Sequence, residues 1–182
     1  MDKDTSIELL PFTASDIDRL IGWVLSPRFL LQWAGPAYQY PLDTVQIKRQ
    51  LAATAGANPL HRMYKAVNSK TGQTAGHGEI GNISFQNRSA TLMRILVGSP
   101  KQRGQGIGEK IVQALLKIGF GEMSLHRMEL RVYDFNKDAI RCYEKAGFKK
   151  EGLLREAAKF EDEYWNVYVM AVLESEWCNV LL

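Results

Sequence analysis

Residues 94–108 read Arg-Ile-Leu-Val-Gly-Ser-Pro-Lys-Gln-Arg-Gly-Gln-Gly-Ile-Gly: an apolar strand passes through a proline-marked turn into a glycine-rich loop that opens a helix. That order of residue types builds an anion site. A helix start leaves backbone N–H groups without partners and carries a positive partial charge, while Gly104, Gly106 and Gly108 have no Cβ to hold a phosphate at a distance. Lys101 and Arg103 add full charge at the mouth. A triphosphate loop would end in Gly-Lys-Ser/Thr, where this chain has Gly106, Ile107, Gly108 and Glu109. A dinucleotide fold would place Gly-x-Gly-x-x-Gly after its first strand, and this run lies in the second half of the chain with a different spacing. A tight strand-to-helix turn without a ligand is the plain alternative.

A second constellation follows one helix and one strand later. Asn136, Ala139, Tyr143, Gly147 and Phe148 fit a short helix. Asn136 or Asp134 can cap its start, Ala139, Ile140 and Tyr143 share a face, and Gly147 stands where a left-handed C-cap is expected.

The loop Arg103-x-x-Gly106-x-Gly108, directly after a strand ending at Val97, resembles the pyrophosphate loop of the GCN5-related N-acetyltransferases, the GNAT superfamily. The segment from Asn136 to Phe148 resembles the Asn-x-x-Ala-x-x-x-Tyr-x-x-x-Gly-Phe signature of the same superfamily. Gly152, Arg155, Glu156, Tyr164 and the ending from Leu173 to Trp177 are similar to the branch holding the ribosomal-protein N-terminal alanine, diamine and amino-sugar acetyltransferases. The likeness is strong over 90–177 and weak before it, where such enzymes build much of their acceptor specificity.

The resemblance implies acetyl-CoA as cosubstrate, an amine as acceptor, and direct transfer within a ternary complex. It implies that the pyrophosphate lies on the backbone of Arg103, Gly104, Gln105, Gly106, Ile107 and Gly108, flanked by Gln102. The pantetheine arm would pair with the strand edge at Ile95, Leu96 and Val97, Asn136 would bond near the thiol, and Tyr143 would protonate the departing thiolate. A buried aromatic on an apolar helix face is the alternative for Tyr143.

The general base has to be found from chemistry. An attacking amine must be neutral, so a carboxylate within reach, directly or through water, would take its proton. The strand 90–97 holds no acid. Glu79, between small neighbours Gly78 and Gly81, is the best candidate, and an outward-facing charge is the equal alternative. His77 and His126 are weaker. With His61 they lack metal-ligand spacing, so no metal is expected.

These residues need a scaffold, and the pattern supplies one. Strand 7–12 leads to helix 15–25 and to a second helix over 43–55, opened by a capping-box-like Asp43 and Gln46. A meander follows at 62–68, 73–85 and 90–97. Ile107, Ile111, Val112, Leu115 and Leu116 then share one helix face, Met128, Leu130 and Val132 alternate along 127–133, and strands close the chain at 148–155 and 165–173. The fold class is α/β (α+β): one GNAT domain over 7–177, a mixed, mostly antiparallel sheet of order β-α-α-β-β-β-α-β-α-β-β. The helix after the glycine loop makes a right-handed crossover between parallel strands.

Composition bounds the rest. The chain has 182 residues, 46% of them hydrophobic, enough for one substantial core and short for two domains. A net charge of +3 suits an anionic ligand, and with basic and acidic residues interspersed it does not mark a nucleic-acid binder. The polar first six residues are no signal peptide and no apolar run reaches membrane length, so a cytoplasmic protein is expected. Two cysteines, Cys142 and Cys178, make no disulfide framework. A homodimer stands as one open assembly.

Three functional classes are open at this stage: an N-acetyltransferase, an acyl-CoA-binding regulatory module without turnover, and an interaction protein that binds no CoA. The acceptor is expected in a cleft lined by the aromatic-rich stretch 29–40 and the loop 159–165, whose Glu161, Asp162 and Glu163 would attract a cationic amine. A packed loop and a solvated turn are the plain readings of those two segments.

Overall fold

The computed structural model describes residues 6–180, with side chains to residue 177. The first five residues, and with them most of the segment read above for a leader, lie outside the described residues, as does the side chain of Cys178; Cys142 is a free thiol.

Seven strands form one sheet: β1 (Ile7–Pro11), β2 (Arg62–Asn68), β3 (Thr74–Ser84), β4 (Ser89–Val97), β5 (Arg127–Tyr133), β6 (Lys149–Phe160) and β7 (Glu163–Leu173). They lie in the order β1-β2-β3-β4-β5-β7-β6. Neighbours are antiparallel except β4 with β5, which are parallel and joined through helix α4 (Ile107–Leu116). The mixed, mostly antiparallel sheet expected from the sequence is therefore present.

Helices cover both faces. On one side α4 buries Ile111, Val112, Leu115 and Leu116 against Ile80, Leu92, Met128 and Leu130, and α5 (Lys137–Lys145) adds Ile140. Close approach of α4 depends on Gly78, where a Cβ would stand 2.8 Å from Leu115 Cδ1. On the other side α1 (Ile17–Gly22), α2 (Pro27–Ala34) and α3 (Thr44–Ala52) enclose Phe12, Leu20, Leu30, Ile47 and Met63. Burial of such aliphatic side chains stabilises each layer by about 1.5–3 kcal/mol per residue.

The helix inventory differs from the sequence reading. The expected helix 15–25 is a turn of 3-10 helix at Ala14–Asp16 followed by the shorter α1. Helix α2 occupies part of the stretch read as a packed loop. Pro27 takes the first turn, where its missing N–H costs nothing, and Ser26 Oγ accepts from Phe29 N at 3.2 Å. At the far end β6 runs to Phe160, beyond the expected 155, and α6 (Glu174–Val180) follows β7. No helix among the described residues is long and apolar enough to cross a membrane.

Candidate active site

The glycine loop leaves β4 at Val97, makes one 3-10 turn at Pro100–Gln102 and enters α4 at Gly106. Gly106 is the N-cap with φ +80°, a left-handed conformation that costs an L-residue roughly 1–2 kcal/mol. Its lack of a side chain also leaves the helix start uncapped. The amides of Gly104 through Glu109 cluster at the positive end of the helix, where a helix start leaves N–H groups without intrahelical partners. A Cβ at Gly104 or Gly106 would meet no protein atom within 4 Å, so what the fold itself demands there is the positive φ. Gly108, inside α4, could carry a Cβ at ordinary distances of 3.7 Å from Cys142 Sγ and Val97 Cγ2. Arg103 folds back from the mouth: its Nε donates to Val97 O at 3.3 Å and its guanidinium lies over the Phe29 ring.

Strands β4 and β5 pair only at Ser89–Thr91 with Arg127–Glu129 and then part. The cause lies in a bulge on β4. Facing β3, Glu79 pairs with Met93 and His77 with Leu96, so β4 carries an extra residue there, and Arg94 takes φ +48°. Between the separated strands lies a cavity of 120 Å³ whose lining includes Phe29, Trp33, Ile95, Leu96, Asn136 and Tyr143. Val97 stands beyond its lining, at the root of the glycine loop.

Asn136 caps α5, its Oδ1 accepting from Ala139 N at 3.4 Å. Tyr143 is half-buried beside Phe148, and its hydroxyl makes no hydrogen bond among the described residues. Burial pushes the phenol well above its ordinary pKa, so it is a proton donor at neutral pH.

Glu79 does not face outward. It is fully buried, with Oε1 2.8 Å from His77 Nε2 and Oε2 2.6 Å from His61 Nε2, and Arg94 Nη1 donates to Oε2 as well. Burial alone would raise its pKa, but the hydrogen bonds from His61 and His77 and the charge of Arg94 hold the carboxyl far below the usual range. It lines neither cavity, whereas Arg94 lines both. His77 is packed between Phe12 and Trp33, and His126 is exposed at the paired end of β5, away from the parted strands. Among the described residues no group of His, Cys, Asp and Glu has the arrangement of a metal site.

A larger cleft of 430 Å³ adjoins the first, the two sharing Trp33, Arg94 and Arg131 among other residues. Residues 32–36 of the stretch 29–40 line it. The hairpin 159–165 does not, and its place is taken by Leu154, Ala157 and Val167. Glu163 is engaged instead by Arg28, at 3.0 and 2.9 Å, and by Trp165 Nε1. The sequence reading also passed over Arg131. Its signal was the alternation along β5, where the buried Met128, Leu130 and Val132 leave Glu129 and Arg131 on the opposite face.

Comparison with known proteins agrees with this arrangement. A family model described as an acetyltransferase (GNAT) domain matches residues 6–149, and the chain belongs to that family. An uncharacterized N-acetyltransferase of Bacillus licheniformis is 34% identical over 137 residues, 75% of this chain and 74% of that protein. A spermidine N(1)-acetyltransferase of Vibrio cholerae is 31% identical over 101 residues, 56% of this chain and 57% of the relative. An uncharacterized N-acetyltransferase of Bacillus subtilis is 33% identical over 81 residues, 44% of this chain and 48% of its own length, so several of these matches span about half of the relative. A crystal structure of spermidine N-acetyltransferase from Vibrio cholerae in complex with CoA and spermine superposes with a TM-score of 0.83 at 21% identity, covering 96% of this chain and 99% of the other. At that identity the likeness is one of fold.

Proposed function

We propose that this protein transfers the acetyl group of acetyl-CoA to a primary amine in a ternary complex. The observation that carries the reading is Tyr143: a phenol on the cavity between the parted strands, with no hydrogen-bond partner among the described residues and its pKa raised by burial. The amides of residues 104–108 would hold the diphosphate at the positive end of α4, with Gln102 and Arg103 beside it, and the β4 edge at Ile95–Val97 would pair with the pantetheine amides. Asn136, its Oδ1 committed to the α5 cap, keeps its amide donors for a group at the thiol end of the cavity.

Acetyl-CoA supplies an activated thioester. The amine nitrogen attacks the carbonyl carbon, the C–S bond breaks, Tyr143 gives its proton to the leaving sulfur, and the nitrogen releases one proton as the amide forms. In this reading Glu79 stays ionised, holds Arg94 and His61 in place without touching the amine, and the amine's proton leaves to water.

Calorimetric titration with acetyl-CoA, followed by release of free CoA over a panel of peptides, polyamines, amino acids and aminoglycosides, tests the reading. Binding with turnover of an amine is the expected result. Binding without turnover of any acceptor would favour a regulatory module, and absence of binding would remove both.

A further inference from the structure

Resting on that reading, we propose that the acceptor carries an oxyanion, a carboxylate or phosphate, near its amine, and that Arg131 binds it. The argument starts from the charges that line the 430 Å³ cleft: Arg94, Glu129 and Arg131. Arg94 is neutralised by Glu79 beneath it. Glu129 accepts from Arg127 Nη2 at 3.0 Å, and Arg127 is shared with Glu151 at 2.8 and 2.6 Å. Arg131 is exposed and has no hydrogen bond or ion pair among the described residues.

Its surroundings offer no internal partner. Across the sheet Arg131 pairs with Val169, and Val169 in turn pairs with Gly152, so no acid stands opposite on either strand. Tyr133, Leu154, Ala157 and Val167 complete an apolar setting in which a planar guanidinium keeps its fork of N–H donors for a visitor. Two more donors on residues lining the cleft, Trp33 Nε1 and Arg94 Nε, are buried without acceptors. The cleft is therefore rich in donors, and of its three charged lining residues Arg131 alone has no hydrogen bond or ion pair among the described residues.

A protonated polyamine tail would meet the Arg131 guanidinium and find Glu129 sharing Arg127 with Glu151; an oxyanion would satisfy Arg131 bidentately. The cofactor's phosphates are not the anion in question. They are assigned to residues 104–108, none of which lines either cavity. Position decides what the anion does: Arg131 borders both cavities, so an acceptor anchored there presents an amine a short distance away to the carbonyl between the strands.

The test compares matched acceptors that differ only in the anion: free amino acids against their carboxamides, and phosphoethanolamine against ethanolamine, each measured as kcat/KM by CoA release. The wild-type protein is expected to favour the anionic member of at least one pair about 10- to 100-fold, the worth of a charge-assisted contact. Arg131→Gln should bring that ratio toward one, Arg131→Lys should restore part of it, and acetyl-CoA affinity by calorimetry should stay the same in both. The carboxylate and phosphate pairs separate the two sources of charge. A wild-type preference for spermidine or for the neutral members, a ratio untouched by Arg131→Gln, or no turnover of any anionic amine by a protein that binds acetyl-CoA would each overturn the proposal while leaving the cofactor reading intact. Failure to bind acetyl-CoA would overturn the cofactor reading and this inference with it.

Discussion

Arg94 closes on Glu79 from a left-handed backbone position at the bulge of β4, so the residue that parts the central strands is tied to a carboxylate buried on the neighbouring strand. A non-glycine residue at positive φ costs of order 1–3 kcal/mol unless its surroundings fix it. Here the fixing group is identifiable. Glu79 accepts from Arg94, His61 and His77 together, and each of those side chains is mostly or wholly buried.

Removal of that carboxylate should damage the fold before it damages chemistry. Glu79→Ala strands a buried guanidinium and is expected to cost about 3–5 kcal/mol in chemical denaturation. Glu79→Gln keeps the shape but removes the charge opposite Arg94 and turns one acceptor into a donor, so it should lose less stability than alanine, and its activity is read on the folded fraction. With Glu79 positioning Arg94 and His61 only, the glutamine variant's pH–rate profile should run parallel to wild type; a loss greatest at low pH, where assistance in deprotonating the amine matters most, would place Glu79 on the proton path.

Tyr143→Phe deletes only the hydroxyl. With the phenol as acid, kcat should fall on the order of 10² while acetyl-CoA affinity is kept. A rate near wild type would make Tyr143 a packing residue beside Phe148.

Gly106→Glu puts a charged side chain where no protein atom stands within 4 Å, and adds the strain of φ +80°. We expect a folded protein, about 1–2 kcal/mol less stable, with acetyl-CoA affinity reduced beyond detection in calorimetry. Unchanged affinity would remove the diphosphate from this loop.

Much of this was legible in the sequence because it is local. The glycine loop, the α4 face and the alternation on β5 each declare themselves within about a dozen residues, and strands 62–68 and 127–133 match the observed ones at both ends. What stayed hidden depends on distant partners. Helix α2 was obscured because Pro27 reads as a breaker until its place in the first turn is known. The acids of the 159–165 hairpin suggested a cationic acceptor, but Glu163 is claimed by Arg28, remote in the chain. His77 is local to Glu79, but burial of the carboxylate also needs His61 and Arg94, which lie 18 and 15 residues away in the chain. Arg131 was visible as the polar phase of β5, but its lack of a partner appears only once Glu129 is seen to be committed to Arg127.

The last prediction concerns Asp16, which pins the start of α1 to the sheet. It is 3% exposed and accepts from Thr13 N at 2.9 Å, Thr13 Oγ1 at 2.8 Å, Arg19 Nη1 at 2.7 Å and Lys65 Nζ at 3.1 Å. Burial would raise its pKa, yet these donors outweigh burial and bring it from 3.8 down to about 2. A carboxylate whose pKa is depressed by folding stabilises the protein fully above its unfolded value and loses that contribution as pH falls through its folded value. For Asp16 the window runs from near pH 4 to near pH 2, and the contribution at neutral pH is about 2 kcal/mol. Asp16→Asn should therefore lower the unfolding free energy at pH 7, and its deficit relative to wild type should shrink as the pH is taken from 5 to 2. Urea denaturation of both proteins across that range measures it. A deficit that does not change with pH would mean that Asp16 acts through hydrogen-bond geometry, which asparagine alters at every pH, and that its charge contributes nothing.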